Sequence, residues 1–341
     1  MLKRAHQNIQ SHILFLHSGT LHQFTRDHTI TLLHATENLR IFMMTTTEPY
    51  QHIAVSKPNN CPGVAVVALN RPRKRNAINS SMWKEIGHVF SELTYSSDDI
   101  RCIALVGNGN AFCAGIDLSD PSFGLVDAGG DSVDNGDDGG NASDDVARKA
   151  LRFRPKILEM QRAFTALEAC PVPVVAIIQG FCIGGGVDLI TAADIRICSP
   201  GAVFSVREAR LGLAADVGTL QRLPKIVGFG SRVRELIFTG EDFGAAEAAR
   251  IGLVSRIATS DETLFREGLA IAQRIASNSP VAVRGSKLSL NYSRDHTVVD
   301  GLEHIATHNA GALITDDLMS SFAGKDGDAS RFAPVGPLSR L

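Results

Sequence analysis

Three carboxylic acids lie where a charged side chain is costly. Asp188 falls in the first turn of a helix predicted after a glycine run. Glu208 follows the apolar segment 203–206, and Asp216 interrupts the apolar segment 212–218. A buried acid is unfavourable unless it is paired or neutralised, so such acids are stronger candidates for proton transfer than acids on polar faces. The three residues therefore point to general acid–base chemistry.

Each acid also has a plain structural explanation. Glu208 can pair with the neighbouring Arg207 or Arg210, and Asp188 can serve only to cap its helix. Taken one residue at a time, the structural and the functional explanations are equally well supported. The choice between them depends on whether groups near the acids can polarise a substrate.

Two turns rich in small residues can bring backbone N–H groups to a ligand. Residues 111–118 follow a strand, and residues 180–189 lead through Gly184–Gly186 into a helix. Bare N–H groups at such turns approach a ligand closely, and two of them converging on one oxygen form an oxyanion hole. Glycine clusters also serve tight turns and close packing, so each turn alone is weak support.

Around these turns the hydrophobic periodicity alternates between strand and helix. Apolar runs predict buried strands, and Met82, Ile86, Val89, Phe90 and Leu93 form one stripe of a helix. The predicted strands are residues 64–69, 101–106, 174–178, 195–198 and 203–205, and the predicted helices are 80–93 and a long one capped by Ser143–Asp145, kinked at Pro155 and ending near Ala169. From Gly218 onward the pattern is mainly helical. The sequence thus predicts an α/β core followed by a helical C-terminal part.

The composition excludes several classes of protein. The chain has 341 residues, of which 44% are hydrophobic and 21% charged, and a net charge of -2. This is enough apolar sequence for a large core, and the balanced charge argues against a global electrostatic grip on nucleic acid or an anionic membrane. No apolar run approaches the roughly 20 residues of a membrane span. We therefore expect no nucleic-acid partner and no membrane partner.

Charge and low-complexity stretches divide the chain. The predicted segments are a leader or dispensable extension at 1–45, a core at 46–255 that contains a mobile acidic loop at 119–145, a helical region at 256–320 and a tail at 321–341. The leader is either a targeting sequence or an over-extended start before Met43 or Met44. The acidic loop lacks the spacing of a calcium loop, and we predict no metal site.

Three motifs together carry a resemblance to a known family. They are Leu69-Asn70-Arg71-Pro72 with Arg75-Asn76-Ala77, then Ala114-Gly115-Ile116-Asp117-Leu118, and then Ile183-Gly184-Gly185-Gly186. In these motifs the chain resembles the enoyl-CoA hydratase/isomerase (crotonase) superfamily, over roughly residues 50 to 320. Within that superfamily it is similar to the Δ3,5-Δ2,4-dienoyl-CoA isomerases, through residues 185–190, 206–208, 212–225 and 279–296.

The resemblance implies a fold, an assembly and a binding site. The fold is a crotonase-like spiral of ββα units with a helical C-terminal oligomerisation region that builds homotrimers or hexamers. The N–H groups of Ile116 and Gly185 would hold the thioester oxygen of an acyl-CoA substrate. The residues that would line the substrate site are Ala114, Gly115, Ile116, Asp117, Leu118 and Gly185. From the local charge we expect the adenine end near residues 73–75.

The resemblance also implies a reaction, the isomerisation of 3,5-dienoyl-CoA to 2,4-dienoyl-CoA in the β-oxidation of unsaturated fatty acids. The oxyanion hole would stabilise the extended dienolate that forms when the C-2 proton leaves. We expect Glu208 to remove that proton, Asp216 to protonate C-6, and Asp188 to orient or tune the pair. CoA is part of the substrate, and no separate cofactor is expected.

Two other functions compete with isomerisation. Family hydratases resemble the chain at both turns, but they carry Glu at position 188 and Gly at position 216. An added acid at position 216 supplies the remote proton donor that isomerisation needs, so the pattern favours the isomerase. A catalytically silent RNA-binding homologue is the other alternative, although all three acids are present and the basic residues are dispersed.

The sequence carries one further address signal. It ends in Ser339-Arg340-Leu341, a conservative variant of the S-K-L tripeptide that directs proteins to peroxisomes. We therefore expect a peroxisome or related microbody, reached through the peroxisomal import receptor. Import into the mitochondrion through the N-terminal leader is the alternative.

Overall fold

The computed structural model describes residues 50–95, 99–121, 146–322 and 332–336. The predicted leader before residue 50, most of the acidic loop and the terminal tripeptide lie outside these residues. The strands of the described part are β1 (Ile53–Ser56), β2 (Val64–Leu69), β3 (Cys102–Gly107), β4 (Val174–Ile178), β5 (Phe181–Ile183), β6 (Ile195–Cys198), β7 (Val203–Ser205), β8 (Phe243–Gly244) and β9 (Arg256–Ile257).

Helices surround these strands. They are α1 (Ser80–Thr94), α2 (Val146–Ala169), α3 (Gly185–Thr191), α4 (Thr219–Val227), α5 (Ser231–Thr239), α6 (Ala245–Arg250), α7 (Leu264–Ala276), α8 (Pro280–Ser293), α9 (Val298–Ala312) and α10 (Asp316–Phe322). Among the described residues, no helix is long and apolar enough to cross a membrane. The predicted α/β core with a helical C-terminal part is confirmed.

The central sheet has the order β1-β2-β3-β4-β6-β9, and only β1 is antiparallel to its neighbour. Strands β2, β3 and β4 are buried throughout because helices cover both faces of the sheet. Along β2, Ala65, Val67 and Leu69 face the cluster that includes α1 and α2, whereas the alternate residues face α7. A smaller sheet has the order β5-β7-β8.

Helix α1 packs against α2 beside the sheet. The Asn79 side chain caps α1 by accepting a hydrogen bond from the N–H of Met82 at 2.9 Å. The predicted stripe is buried apart from the half-buried Leu93. Trp83 stacks on Phe164 of α2 with 4.7 Å between ring centroids, so α1 and α2 form one wall of the core.

Helix α2 ends at Ala169 as predicted and continues through Pro155. Pro155 and its neighbours in the first half of the helix are exposed, so a backbone carbonyl freed by the proline can bond to water. The kink predicted at Pro155 stays a prediction. The residues proposed to cap the helix lie outside the described part.

The C-terminal helices leave the sheet in two steps. Helix α7 lies on the sheet so closely that a Cβ on Gly268 would overlap Ile177 of β4. Helix α8 is tied to the sheet by the buried Lys287, whose Nζ donates to Asp194 at 2.8 Å and to the Val172 carbonyl at 3.0 Å. Beyond it, large apolar side chains are exposed on α9 and α10 and in the turn between them: Val298, Val299, Leu302, Leu313, Ile314, Leu318, Met319 and Phe322.

Candidate active site

The two small-residue turns meet at the edge of the smaller sheet. The first turn is held by Ile78, which precedes α1. The N–H of Ile78 donates to the Gly115 carbonyl at 2.8 Å, and the Ile78 carbonyl accepts from the N–H of Asp117 at 2.9 Å. Because N–H groups alternate in direction along an extended chain, the N–H of Ile116 points away from Ile78. A Cβ on Gly185 would lie 3.7 Å from the Ile116 nitrogen, so the second turn lies on that side.

The second turn presents the N–H of Gly185 at the start of α3. Gly184 before it has a φ of 51°, which favours glycine, and its own N–H donates to the Ser205 carbonyl at 2.9 Å. Within the part of the chain that the structure describes, neither Ile116 nor Gly185 has an acceptor for its N–H. The two predicted donors thus lie close together with their N–H groups available, as an oxyanion hole would require.

The remaining residues predicted to line the substrate site belong to the first turn. The N–H of Ala114 donates to the Arg75 carbonyl at 2.9 Å, which fixes the start of the turn. Leu118 is 48% exposed. The Asp117 carboxylate accepts from Arg71 at 2.9 Å and from the Ser119 hydroxyl at 2.5 Å. These bonds, first that with Ser119 and then that with Arg71, lower the pKa of Asp117, so its side chain holds the turn as a carboxylate.

Glu208 stands at the start of a 3₁₀ turn, Glu208–Leu211, and is only 8% exposed. The predicted alternative in which a neighbouring arginine neutralises it is wrong. Arg207 is bound to Asp242, and Arg210 donates to the Thr239 carbonyl at 2.9 Å. Among the described residues, Oε2 of Glu208 has no hydrogen-bond partner. Burial, and next the charge of Asp216, raise the pKa of the Glu208 carboxyl.

Asp188 is the most deeply buried of the three acids, at 1% exposed. Its Oδ1 accepts a hydrogen bond from the N–H of Thr219 at 2.5 Å, so it links α3 to the first residue of α4 and does more than cap its own helix. Burial, and then the charge of Glu208, raise the pKa of Asp188 to about 7. The charge of Asp216 acts in the same direction, so the three acids form one electrostatically coupled group.

Asp216 lies in the loop before α4 and is exposed on one side. Gln161 of α2 donates to its carbonyl at 2.7 Å, which ties this loop to α2. Partial burial raises the pKa of the Asp216 carboxyl. Among the described residues its carboxylate makes no ion pair, so it is available for proton transfer.

A cavity of about 600 Å³ connects the oxyanion turn with Asp216. Ile116 lines one part of it and Asp216 another, while α1 and α2 form its long walls. The sequence did not assign this cavity, although its α1 wall follows helical spacing: Ser80, Trp83, Lys84, Gly87, His88 and Ser91. The wall from α2 includes Phe153, Met160, Ala163 and Ala166. Such a mainly apolar cleft suits an acyl chain.

One positioning residue, Asn76, was quoted in the sequence motifs without a role. Asn76 is fully buried, and its Nδ2 donates to the carbonyls of Asn108 at 2.9 Å and Ala111 at 2.8 Å. Its Oδ1 accepts from the N–H of Arg71 at 2.9 Å. Asn76 therefore fixes the start of the oxyanion turn, and its φ of 55°, unusual for a residue with a side chain, is a signal that sequence alone does not carry.

The basic turn at residues 73–75 is exposed. The Arg75 guanidinium lies over the ring of Phe181, 5.3 Å from its centroid. No contact here tests the placement of the adenine end, which stays a prediction. Among the described residues, no group of three or more His, Cys, Asp or Glu side chains could hold a metal ion.

The fold agrees with the family resemblance stated from the sequence motifs. A family model described as enoyl-CoA hydratase/isomerase matches residues 59–125 and 139–317. The chain belongs to the enoyl-CoA hydratase/isomerase family. The predicted crotonase-like fold is thereby confirmed.

Curated relatives narrow the comparison. The chain is 46% identical to the mitochondrial Δ(3,5)-Δ(2,4)-dienoyl-CoA isomerase of Rattus norvegicus, over 75% of this chain and 74% of the relative. It is 41% identical to the peroxisomal Δ(3,5)-Δ(2,4)-dienoyl-CoA isomerase of Arabidopsis thaliana, over 80% of this chain and 93% of the relative. The crystal structure of enoyl-CoA hydratase from Bacillus anthracis matches with a TM-score of 0.68 and 28% identity, covering 80% of this chain and 95% of that one.

Proposed function

We propose that the chain isomerises 3,5-dienoyl-CoA thioesters to 2,4-dienoyl-CoA thioesters. One observation carries the proposal: two electrostatically coupled carboxyl groups without ion pairs lie at different places around the N–H groups of Ile116 and Gly185, with Glu208 against Gly184 and Asp216 lining the same cavity as Ile116. A hydratase can work with acids grouped at one end of its substrate. A shift of two double bonds needs a base at C-2 and an acid at C-6, four carbons further along the acyl chain. Two separate acids, Glu208 and Asp216, meet that need.

The proposed steps conserve protons. The N–H groups of Ile116 and Gly185 bind the thioester oxygen, and Glu208 takes the C-2 proton to give a dienolate held by those donors. Asp216 gives its proton to C-6, and the double bonds move to positions 2 and 4. Glu208 then holds a proton and Asp216 lacks one, so exchange with solvent restores the starting state.

Asp188 influences the protonation of the other two acids without contacting the acyl chain of the substrate. Burial and the charge of Glu208 raise the pKa of Asp188, and the charge of Asp216 raises the pKa of both, so the three acids share fewer charges than three isolated carboxylates would at neutral pH. With part of the group protonated, a proton is available for C-6 while a base remains for C-2. The hydrogen bond from Thr219 keeps Asp188 in place in either protonation state.

The test is a spectral assay on the purified full-length protein. Incubation with 3,5-octadienoyl-CoA should produce the absorbance of a conjugated 2,4-dienoyl thioester, and crotonyl-CoA should be hydrated far more slowly. Rapid hydration of crotonyl-CoA without any diene shift would contradict the proposal and favour the hydratase. Heat-inactivated protein provides the control for spontaneous isomerisation.

We further propose that the chain forms homotrimers or hexamers through its C-terminal helices. The exposed apolar side chains of α9 and α10 support this, since a surface of this kind is usually covered by a partner. Light scattering after gel filtration should give three or six times the chain mass. A monomer at micromolar concentration would contradict the proposal.

For location, we propose import into a peroxisome or related microbody. The proposal is supported by the tripeptide Ser339–Leu341 and by the relative from Arabidopsis thaliana, which is named peroxisomal. Relatives from Rattus norvegicus and Dictyostelium discoideum are named mitochondrial, so the mitochondrion is the competing site. Imaging fluorescent fusions with and without residues 339–341 separates the two: only microbody import should be lost with the tripeptide.

A further inference from the structure

A chain of alternating charges lies on the far side of Asp216 from the acyl cavity. Arg222 of α4 donates to Oε2 of Glu168 through Nε at 3.0 Å and through a terminal nitrogen at 2.8 Å. Glu168 also accepts from Arg294, which donates in turn to Asp295 at 3.2 Å. Three cations, with Lys225 bound to Asp295 at the end, thus share two carboxylates.

Asp216 faces this network directly. A second cavity, of about 320 Å³, is lined by Asp216 together with Glu168, Arg222, Lys225, Arg294 and Asp295. Asp216 and Arg222 therefore border one space, yet they form no ion pair. The side chain of Arg222 is 12% exposed, so its charge is poorly screened by water and would act strongly on an acid nearby.

The backbone between the two residues places Arg222 next to the loop that carries Asp216. One terminal nitrogen of Arg222 lies 3.4 Å from the Val217 carbonyl, and the other donates to the Thr165 hydroxyl at 3.2 Å. A Cβ on Gly218 would overlap the guanidinium. The Arg222 guanidinium thus contacts the residue that follows Asp216 in the chain. Its hydrogen bonds to Glu168 keep its donors turned away from the Asp216 carboxylate.

We propose that Glu168 is a positioning residue for the proton donor: it binds the Arg222 guanidinium and keeps that cation from pairing with Asp216. The inference rests on the proposed function, in which Asp216 must arrive at C-6 carrying a proton. An arginine paired with Asp216 would hold it as a carboxylate. Glu168 lowers the effective positive charge of the second cavity and so leaves the acid able to donate.

Other charged groups line the two cavities that Asp216 borders or are coupled to it. Their effect on the pH profile must be the same in every variant that is compared. They are Glu208 and Asp188 among the acids, Lys225, Arg294 and Asp295 in the second cavity, and Lys84, His88, Lys156, Glu159 and Arg162 along the acyl cavity. Comparing variants that differ only at positions 168 and 222 cancels their contributions.

The experiment is the pH profile of kcat/KM for 3,5-octadienoyl-CoA. Glu168→Gln frees Arg222 to pair with Asp216, so we expect the pH optimum to move to lower pH by about half to one pH unit, with roughly tenfold less activity at pH 8. Adding Arg222→Gln to that variant removes the cation and should return the optimum to the wild-type position. Glu168→Asp keeps the charge and should stay near wild type.

Glu247→Gln is the matched control, because Glu247 is likewise shared by two arginines, Arg232 and Arg250, but lies away from the site. It should leave the optimum unchanged. An unchanged optimum in Glu168→Gln, or an equal shift in the double variant, would overturn the inference.

If Glu168→Gln does not fold, the single variant Arg222→Gln decides. Arg222→Gln leaves the Glu168 carboxylate without this cation, so the pKa of Asp216 should rise and the optimum should move to higher pH, whereas an unchanged optimum would show that charges at positions 168 and 222 do not reach Asp216 and would overturn the inference. A wild-type protein that produces no diene overturns the proposed function itself and is recognised without any variant.

Discussion

The carboxylate of Glu208 lies directly against Gly184: a Cβ added to Gly184 would be 3.1 Å from Oε1. The glycine that shapes the second oxyanion turn therefore also makes room for the proposed base. Its φ of 51° would strain any other residue. The position of the base and the position of one oxyanion donor thus depend on the same residue.

Gly184→Ala should accordingly lower activity by more than its effect on stability explains. The new Cβ pushes the Glu208 carboxylate away from C-2, and we expect kcat to fall by at least about tenfold, because misplacing a catalytic group by even 1 Å can cost about 10² in rate. Gly228→Ala is the control: its φ is 87°, but nothing lies within 4 Å of its Cβ. Equal losses of kcat in the two variants would mean that backbone strain alone is responsible.

Asp216→Asn should separate the two halves of the reaction. The amide cannot donate the C-6 proton, so formation of the 2,4-diene should fall by about 10² to 10⁴. Glu208 is intact and should still remove the C-2 proton, so deuterium from D₂O should still enter C-2 of the 3,5-dienoyl thioester. Mass spectrometry of recovered substrate measures this exchange.

Loss of C-2 exchange together with diene formation would mean that Asp216 supports the fold of the site and does not act as the remote acid. Glu208→Gln is the complementary variant and should abolish exchange at C-2 as well as isomerisation. Binding of octanoyl-CoA, which cannot react, checks that both variants keep the substrate site.

The raised pKa of Asp188 makes the stability of the folded protein depend on pH. Its pKa rises from 3.8 to about 7 on folding, so the folded state binds the proton more tightly than the unfolded state. The wild type should therefore lose stability as the pH rises from about 4 to 7, by at most on the order of 4 kcal/mol. Asp188→Asn removes this penalty while its side-chain oxygen can still accept from Thr219.

The difference in Tm between Asp188→Asn and wild type should hence grow between pH 4 and pH 7 and stay constant above. Differential scanning calorimetry at a series of pH values measures it, and the contributions of the other groups largely cancel in the difference. A constant difference from pH 4 to 8 would contradict the raised pKa. Activity should fall in the variant, since the coupling that holds a proton near Glu208 is weakened.

The fold could be predicted from the sequence where one element carries its own signal. Strands β2 and β4 match their predicted bounds because a strand buried on both faces is an uninterrupted apolar run. Strands β1 and β5 were not predicted, although β6 and β7 have the same lengths of four and three residues and were; β5 lies inside the segment 180–189 that the sequence analysis assigned to a turn. The side chains that line the acyl cavity from α1 follow a regular spacing, but nothing local indicates which face meets a ligand.

The site could be predicted only in part. The three acids were recognisable as acids among apolar residues, and the oxyanion pair came from the family resemblance. The ion-pair partners of the arginines were not predictable. Arg222 binds Glu168 of α2, 54 residues earlier in the chain. Arg207 binds Asp242 and not the adjacent Glu208. Such choices depend on tertiary packing.

The N–H of Gly185 provides the last test, because proline can remove it without interrupting α3. Gly185 is the first residue of that helix, a position where proline is well tolerated. Gly185→Pro deletes one oxyanion donor and places its ring in the space that the donor faces, so we expect kcat/KM to fall by at least about 10² to 10³. Gly185→Ala keeps the N–H, and its Cβ would make an ordinary 3.4 Å contact with Ile116, so it should retain most activity. Comparable activity in the two variants, with comparable Tm, would show that the thioester oxygen is bound elsewhere.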